Sequence, residues 1–130
     1  MTLYKPKKRV VLIDDDADLR AIMRAAINSM NCEVVGEGGT GEEAIDLFRQ
    51  HRPDLLLLDV TLETMSGTQA LAAVKAEYPD AFVIMLTASA DVETVQECIR
   101  GGAARYILKD TSVPRIKLMV GEALGLGLGT

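Results

Sequence analysis

Histidine and cysteine are nearly missing from this chain of 130 residues, which has one of the first and two of the second. His51 follows Arg49-Gln50 near an expected helix end and reads as a capping or solvent-facing residue, not a metal ligand. Cys32 and Cys98 do not suggest a disulfide framework or a metal-binding pair. Both are expected to be reduced and buried, in a cytosolic protein. Excess positive charge is missing too. With a net charge of -5 the chain has no sequence-independent attraction for phosphate backbones, which argues against direct nucleic-acid binding. No apolar run approaches the roughly 20 residues of a membrane span. Basic Lys5-Pro-Lys-Lys-Arg9 leads into Val10-Val-Leu-Ile13 like a brief secretion signal, but three aspartates stop the run. Internal repeats and composition breaks are absent. With 48% hydrophobic and 25% charged residues, the chain reads as one domain around one core. A tail over residues 1–8, a folded unit over 9–124 and a flexible glycine-rich tail over 125–130 are expected.

What is present is alternation. Apolar runs over residues 9–14, 33–36, 54–59, 81–87 and 104–109 read as strands. Asp54-Leu-Leu-Leu-Leu-Asp59 is apolar on both faces, as a central parallel strand must be. The run containing Glu33 is polar and suits an edge. Between the strands lie helical patterns. Leu19, Ile22, Met23, Ala26, Ile27 and Met30 predict a buried face, and Ala44, Ile45 and Phe48 predict a second helix. Residues 68–77 follow, with Leu71 and Val74 inward, then 91–100, with Val92, Val95 and Ile99 on one face. A last helix spans about 112–124, with Pro114 tolerated in its first turn. Five strand–helix units predict an α/β fold, a parallel sheet with helices on both faces. Such a sheet binds ligands at the carboxyl ends of its strands, where strand order reverses.

Those ends carry a pattern. The first strand ends in Asp14-Asp15-Asp16, the third in Asp59, the fourth in Thr87 and the fifth in Lys109. Asp16 fits a helix N-cap and Asp18 a first helical turn. Capping does not account for both Asp14 and Asp15. Clustered carboxylates repel unless a proton or a cation relieves them. An oxygen-only set suits a hard cation such as Mg²⁺. A carboxylate can also attack phosphorus to form an aspartyl phosphate, with metal and lysine neutralising the phosphoryl oxygens.

The segments VVLIDDDADLR, PDLLLLD with Gly67 following, VIMLTA and GGAARYILKD are similar to the receiver domain of two-component response regulators, over residues 8 to 124. The resemblance implies a CheY-like, flavodoxin-like doubly wound (βα)5 fold with strand order 2-1-3-4-5. It implies that Asp59 is the phosphoacceptor. Asp14 and Asp15 would hold Mg²⁺ with Asp59 and the backbone carbonyl of Thr61. Lys109 and Thr87 would contact the phosphoryl group, and Tyr106 would change rotamer as Thr87 moves. The implied partners are a histidine kinase or a histidine phosphotransfer protein, and a homodimer formed on phosphorylation. The implied switching face is helix 4, strand 5 and helix 5, residues 91 to 124. Lys109-Asp-Thr-Ser112 also resembles receivers attached to a LuxR-type helix-turn-helix, which implies a fragment of a DNA-binding transcriptional regulator. Thr61 and Ser89 occupy positions that tune hydrolysis in the family.

Two departures stand out. Glu63 lies where the family has proline in D-x-x-x-P, which predicts a looser loop with an extra acid near the metal. Asp110 replaces the proline after the lysine, where a cis bond would cost roughly 3–4 kcal/mol without proline.

Gly36-Glu-Gly-Gly-Thr-Gly41 fits the dinucleotide motif G-x-G-x-x-G. Glu37, Glu42 and Glu43 would oppose a pyrophosphate there, and Thr40 with Glu43 reads as a capping box. A haloacid-dehalogenase-type phosphatase would need a second aspartate at Thr61. A degenerate receiver that binds partners without phosphorylation would need a lost key residue, and none is lost.

Overall fold

A computed structural model describes residues 6–126. Its elements alternate as the patterns predict: β1 (Lys8–Ile13), α1 (Ala17–Asn28), β2 (Cys32–Gly38), α2 (Gly41–His51), β3 (Leu55–Asp59), α3 (Gly67–Glu77), β4 (Val83–Thr87), α4 (Val92–Arg100), β5 (Arg105–Leu108) and α5 (Val113–Ala123). The five strands are parallel, in the order β2-β1-β3-β4-β5.

Alternate side chains of each central strand enter opposite layers, because successive strand residues point to opposite faces. Val11, Ile13, Leu56 and Leu58 pack with Phe48 of α2 and Leu71 and Val74 of α3. Val10, Leu12, Leu55 and Leu57 pack with Met23 and Ile27 of α1 and Ile116 and Val120 of α5. All four leucines of β3 are fully buried, each contributing roughly 1.5–3 kcal/mol relative to exposure. This two-sided burial fixes β3 and holds the residue that ends it, Asp59.

Several local expectations need adjusting. β1 begins at Lys8, and β2 runs through Gly36 to Gly38. Gly36 and Gly38 are therefore strand residues and form no phosphate loop. The Gly39 N–H donates to the Glu43 carboxylate at 3.2 Å, so it is not free for an anion. Thr40 caps α2 through the Glu43 N–H, but Glu43 returns to Gly39 and Thr40 Oγ1 instead of the Thr40 N–H. The reciprocal capping box belongs to α3, between Ser66 and Gln69. Ile22 is 51% exposed, because Met23, Ala26 and Ile27 fill the sheet-facing side of α1 and Ile22 sits one position round the helix. In α4 the expected stripe is only partly covered: Val92 is 72% and Ile99 63% exposed, Val95 is half-buried, and only Cys98 is buried. The four-residue edge strand β5 offers little surface for α4 to cover.

Cys32 and Cys98 are buried free thiols, as expected. Gly125 ends α5 with φ of 69°, and its N–H and that of Leu126 return to Glu122 and Gly121. Leu126 packs on the core, and the rest of the expected glycine-rich tail, residues 127–130, lies outside the described residues. Residues 1–5 of the expected N-terminal tail also lie outside them. No described helix is long and apolar enough to cross a membrane.

Candidate functional site

Parallel pairing brings the ends of β1, β3, β4 and β5 onto one rim. The Asp14 N–H donates to Gly38 O at 3.0 Å, Val60 N–H to Leu86 O at 2.8 Å, and Lys109 N–H to Thr87 O at 2.9 Å. Asp14 and Asp59 are 0% and 1% exposed, while Asp15 is exposed. One carboxylate oxygen from each of these three lies within 4.8 Å of the others. Asp16 caps α1 instead, accepting from the Asp18 and Leu19 N–H groups. The rim thus separates the three aspartates after β1 as capping chemistry predicts.

Lys109 reaches between the buried acids. Its Nζ lies 2.8 Å from Asp59 Oδ2 and 3.0 Å from Asp14 Oδ2. The first contact is a hydrogen bond; the second is an ion pair without hydrogen-bond geometry, and Asp14 Oδ2 has no hydrogen-bond partner among the described residues. Asp59 Oδ1 accepts from the Thr61 N–H at 3.0 Å. Burial pushes the Asp59 carboxyl up to about 6, against the pull of Lys109 and Thr61. At Lys109, burial acts downward, but the two carboxylates outweigh it and hold the ammonium above the ordinary lysine value. Burial dominates at Asp59 and pairing at Lys109, so the lysine stays charged while Asp59 ionises only near neutrality.

The other predicted residues are placed as follows. Thr87 is buried, and its hydroxyl donates to Ser89 O at 2.7 Å and accepts from the Ser89 N–H at 3.2 Å. It is therefore engaged with its own loop and not with Asp59. Tyr106 is half-buried and borders a cavity of about 260 Å³ with Cys98, Ile99 and Ala103. Thr61 is exposed. Glu63 is exposed and lies outside the acid cluster found among the described residues. Every described peptide is trans, including the bond at Asp110.

Two further residues shape the site. The Arg20 guanidinium donates to the Asp14 carbonyl and lies 3.6 Å from Glu37, tying the β1–α1 loop to β2. An added Cβ at Gly67 would stand 1.9 Å from the Asp59 carbonyl oxygen, so only glycine fits there. Gly67 belongs to a segment that resembles the receiver family, but its contact with Asp59 is visible only in the fold.

The three carboxylates suit a hard divalent cation. They supply oxygen donors only, and the buried Asp14 Oδ2 accepts no hydrogen bond among the described residues and has Lys109 Nζ at 3.0 Å, which leaves it acceptor capacity for a metal ion.

The fold and this rim define a class: a doubly wound α/β protein with an acid pocket facing a lysine at the carboxyl edge of its sheet. The chain belongs to the response regulator receiver domain family, whose family model matches residues 10–121. It is 33% identical over 113 residues to the regulatory protein LuxO of Vibrio vulnificus, covering 87% of this chain and 25% of LuxO. The chain thus spans about a quarter of the length of that relative. It is 31% identical over 109 residues to the chemotaxis protein CheY of Thermotoga maritima, covering 84% and 91% of the two chains. The signal receiver domain of the putative response regulator NarL from Mycobacterium tuberculosis superposes with a TM-score of 0.88 at 31% identity, covering 93% of this chain and 98% of that one.

Proposed function

We propose that this receiver accepts a phosphoryl group on Asp59 from a histidine kinase or a histidine phosphotransfer protein. The observation that carries the reading is the buried Asp59 carboxylate, 2.8 Å from Lys109 Nζ and clustered with Asp14 and Asp15. An Asp59 oxygen attacks phosphorus of a phosphohistidine. The P–N bond breaks, and the imidazole nitrogen takes back the electron pair and a proton. Burial keeps this nucleophile dry, and a pKa of about 6 makes it more basic than an ordinary carboxylate while ionised at neutral pH. Lys109 balances charge on the transferred oxygens. The Thr87 hydroxyl exchanges the Ser89 peptide for a phosphoryl oxygen.

Asp14, Asp15 and Asp59, with the Thr61 carbonyl, are the residues that would hold Mg²⁺. When bound, Mg²⁺ supplies charge neutralisation at the phosphoryl oxygens. Added charge at Asp59 then biases two states of the α4–β5–α5 face, with Tyr106 following Thr87 into the cavity beside it. Exposed Val92 and Ile99 make that face suited to a phosphorylation-dependent homodimer. An unchanged sedimentation profile at full phosphorylation would rule the dimer out. The chain works as a cytoplasmic switch and not as a turnover enzyme. The LuxR-type resemblance makes a DNA-binding regulator the proposed output.

The test is intact mass after incubation with Mg²⁺ and acetyl phosphate, beside Asp59→Asn and an EDTA-treated sample. Gain of one phosphoryl group, absent from both controls, is expected. No gain by folded protein from acetyl phosphate or from candidate kinases would instead favour a phosphorylation-independent interaction module.

A further inference from the structure

The β3–α3 loop, residues 60–66, carries Thr61 and lacks the proline that would stiffen it at Glu63. It is nonetheless fastened at both ends. At its base the Gly67 N–H donates to Val60 O at 2.8 Å. At its tip it lies on the first turn of α2. Glu63 forms a parallel backbone bridge with Thr40. Thr64 Oγ1 lies 2.7 Å from the Glu63 carbonyl oxygen and 3.0 and 3.2 Å from the two carboxylate oxygens of Glu42, so its one proton is shared between the loop's own backbone and α2. Met65 covers Gly41, where an added Cβ would meet its side chain at 2.9 Å. Thr64 also has φ of 62°. A β-branched residue in the left-handed region is an outlier, and such strain persists only where surrounding contacts hold it. The contacts here are the Thr40–Glu63 bridge, the Thr64 hydroxyl on the Glu63 carbonyl, and Glu42, which is the side chain that α2 contributes.

We propose that Glu42 and Thr64 form a clasp that holds the β3–α3 loop over Asp59, which makes both of them positioning residues for the phosphoryl site. The proposal rests on the reading of Asp59 as phosphoacceptor. The clasp does the work of the missing proline. Closed, it keeps the Thr61 N–H on Asp59 Oδ1. Open, it admits water to the phosphorylated site. There a water oxygen attacks phosphorus, the P–O bond to Asp59 breaks, and carboxylate and inorganic phosphate are left. The clasp therefore lengthens the life of the phosphorylated state.

Thr64→Val removes the hydroxyl and keeps the shape, and Glu42→Ala removes its partner. Thr64→Ser and Glu42→Gln keep a donor and an acceptor. Thr64→Gly removes the clasp and the backbone strain together. Three readouts apply to the intact chain: amide exchange at Thr61 by NMR, Mg²⁺ affinity by titration, and phosphoryl half-life by intact mass. Losing one hydrogen bond of ordinary strength should speed Thr61 exchange about fivefold in the Val, Ala and Gly variants. Half-life should shorten by a similar factor and Mg²⁺ should bind more weakly. The Ser and Gln variants should stay near wild type. Thr64→Gly should melt no lower than wild type, which separates positioning from general destabilisation. Wild-type exchange and half-life in Thr64→Val and Glu42→Ala would overturn the clasp. Faster exchange with an unchanged half-life would overturn its positioning role. If the wild type takes no phosphoryl group, the Asp59 reading fails, while exchange and Mg²⁺ affinity still decide the clasp.

Discussion

Replacing Asp59 with asparagine should stabilise the protein at neutral pH, although it removes the central residue of the site. Asp59 is 1% exposed, and burial lifts its pKa from 3.8 to about 6. A carboxyl whose pKa is higher in the fold than in the unfolded chain holds its proton better in the fold. Its stabilising contribution is complete below about 3.8 and is lost as pH rises through about 6. At about 1.36 kcal/mol per pH unit, that interval makes ionised Asp59 cost about 3 kcal/mol above neutrality. Asparagine has no charge to bury. It offers one carbonyl where the carboxylate serves both Lys109 Nζ and the Thr61 N–H, so one hydrogen bond worth about 1 kcal/mol is lost. The net gain expected at neutral pH is about 2 kcal/mol, and it should fall with pH and turn into a small deficit near pH 4, where the relief is mostly gone and the lost hydrogen bond remains. Urea unfolding in EDTA, from about pH 4 to about pH 8, measures it. Circular dichroism is the probe, because the chain has no tryptophan. An asparagine variant less stable than wild type at neutral pH would refute the reasoning, as would a difference that does not vary with pH. Adding Mg²⁺ should narrow the gap, since a ligand of the native carboxylates stabilises wild type by mass action.

Lys109→Met should act in the opposite direction. It removes the ammonium that stands 2.8 and 3.0 Å from two buried carboxylates, at a cost of about 3–5 kcal/mol at neutral pH. Thermal melts should show this loss diminishing as Asp59 protonates below about pH 6. Gly67→Ala should cost about 3 kcal/mol or more, because its Cβ would stand 1.9 Å from the Asp59 carbonyl oxygen and backbone would have to move. Denaturant melts check the cost, and shifted amide resonances at residues 59–61 should accompany it.

Why the acid rim was legible in the sequence while its fastenings were not follows from the range of each contact. Asp59 and Lys109 lie 50 residues apart, yet their meeting follows from a short argument. A run that is apolar on both faces is a central parallel strand, and parallel strands all end on one edge. Whatever chemistry terminates the runs must gather there, and Asp14, Asp59, Thr87 and Lys109 do so because β1, β3, β4 and β5 are neighbours in order. Periodicity carries less. It shows that Val92, Val95 and Ile99 share a face, but not whether a neighbour covers that face. Cys98 fills the little space beside a four-residue edge strand, Val95 is half-covered, and Val92 and Ile99 turn out. Glu63 shows a related limit. A missing proline is read from the chain itself, whereas the contacts of this loop come from another element, through Thr40, Gly41 and Glu42 at the start of α2. No local pattern announces them, because Thr-Gly-Glu at a helix start already has a complete explanation as capping. The same three residues thus serve helix and loop at once, and only the second use depends on α2 lying beside β3 in space.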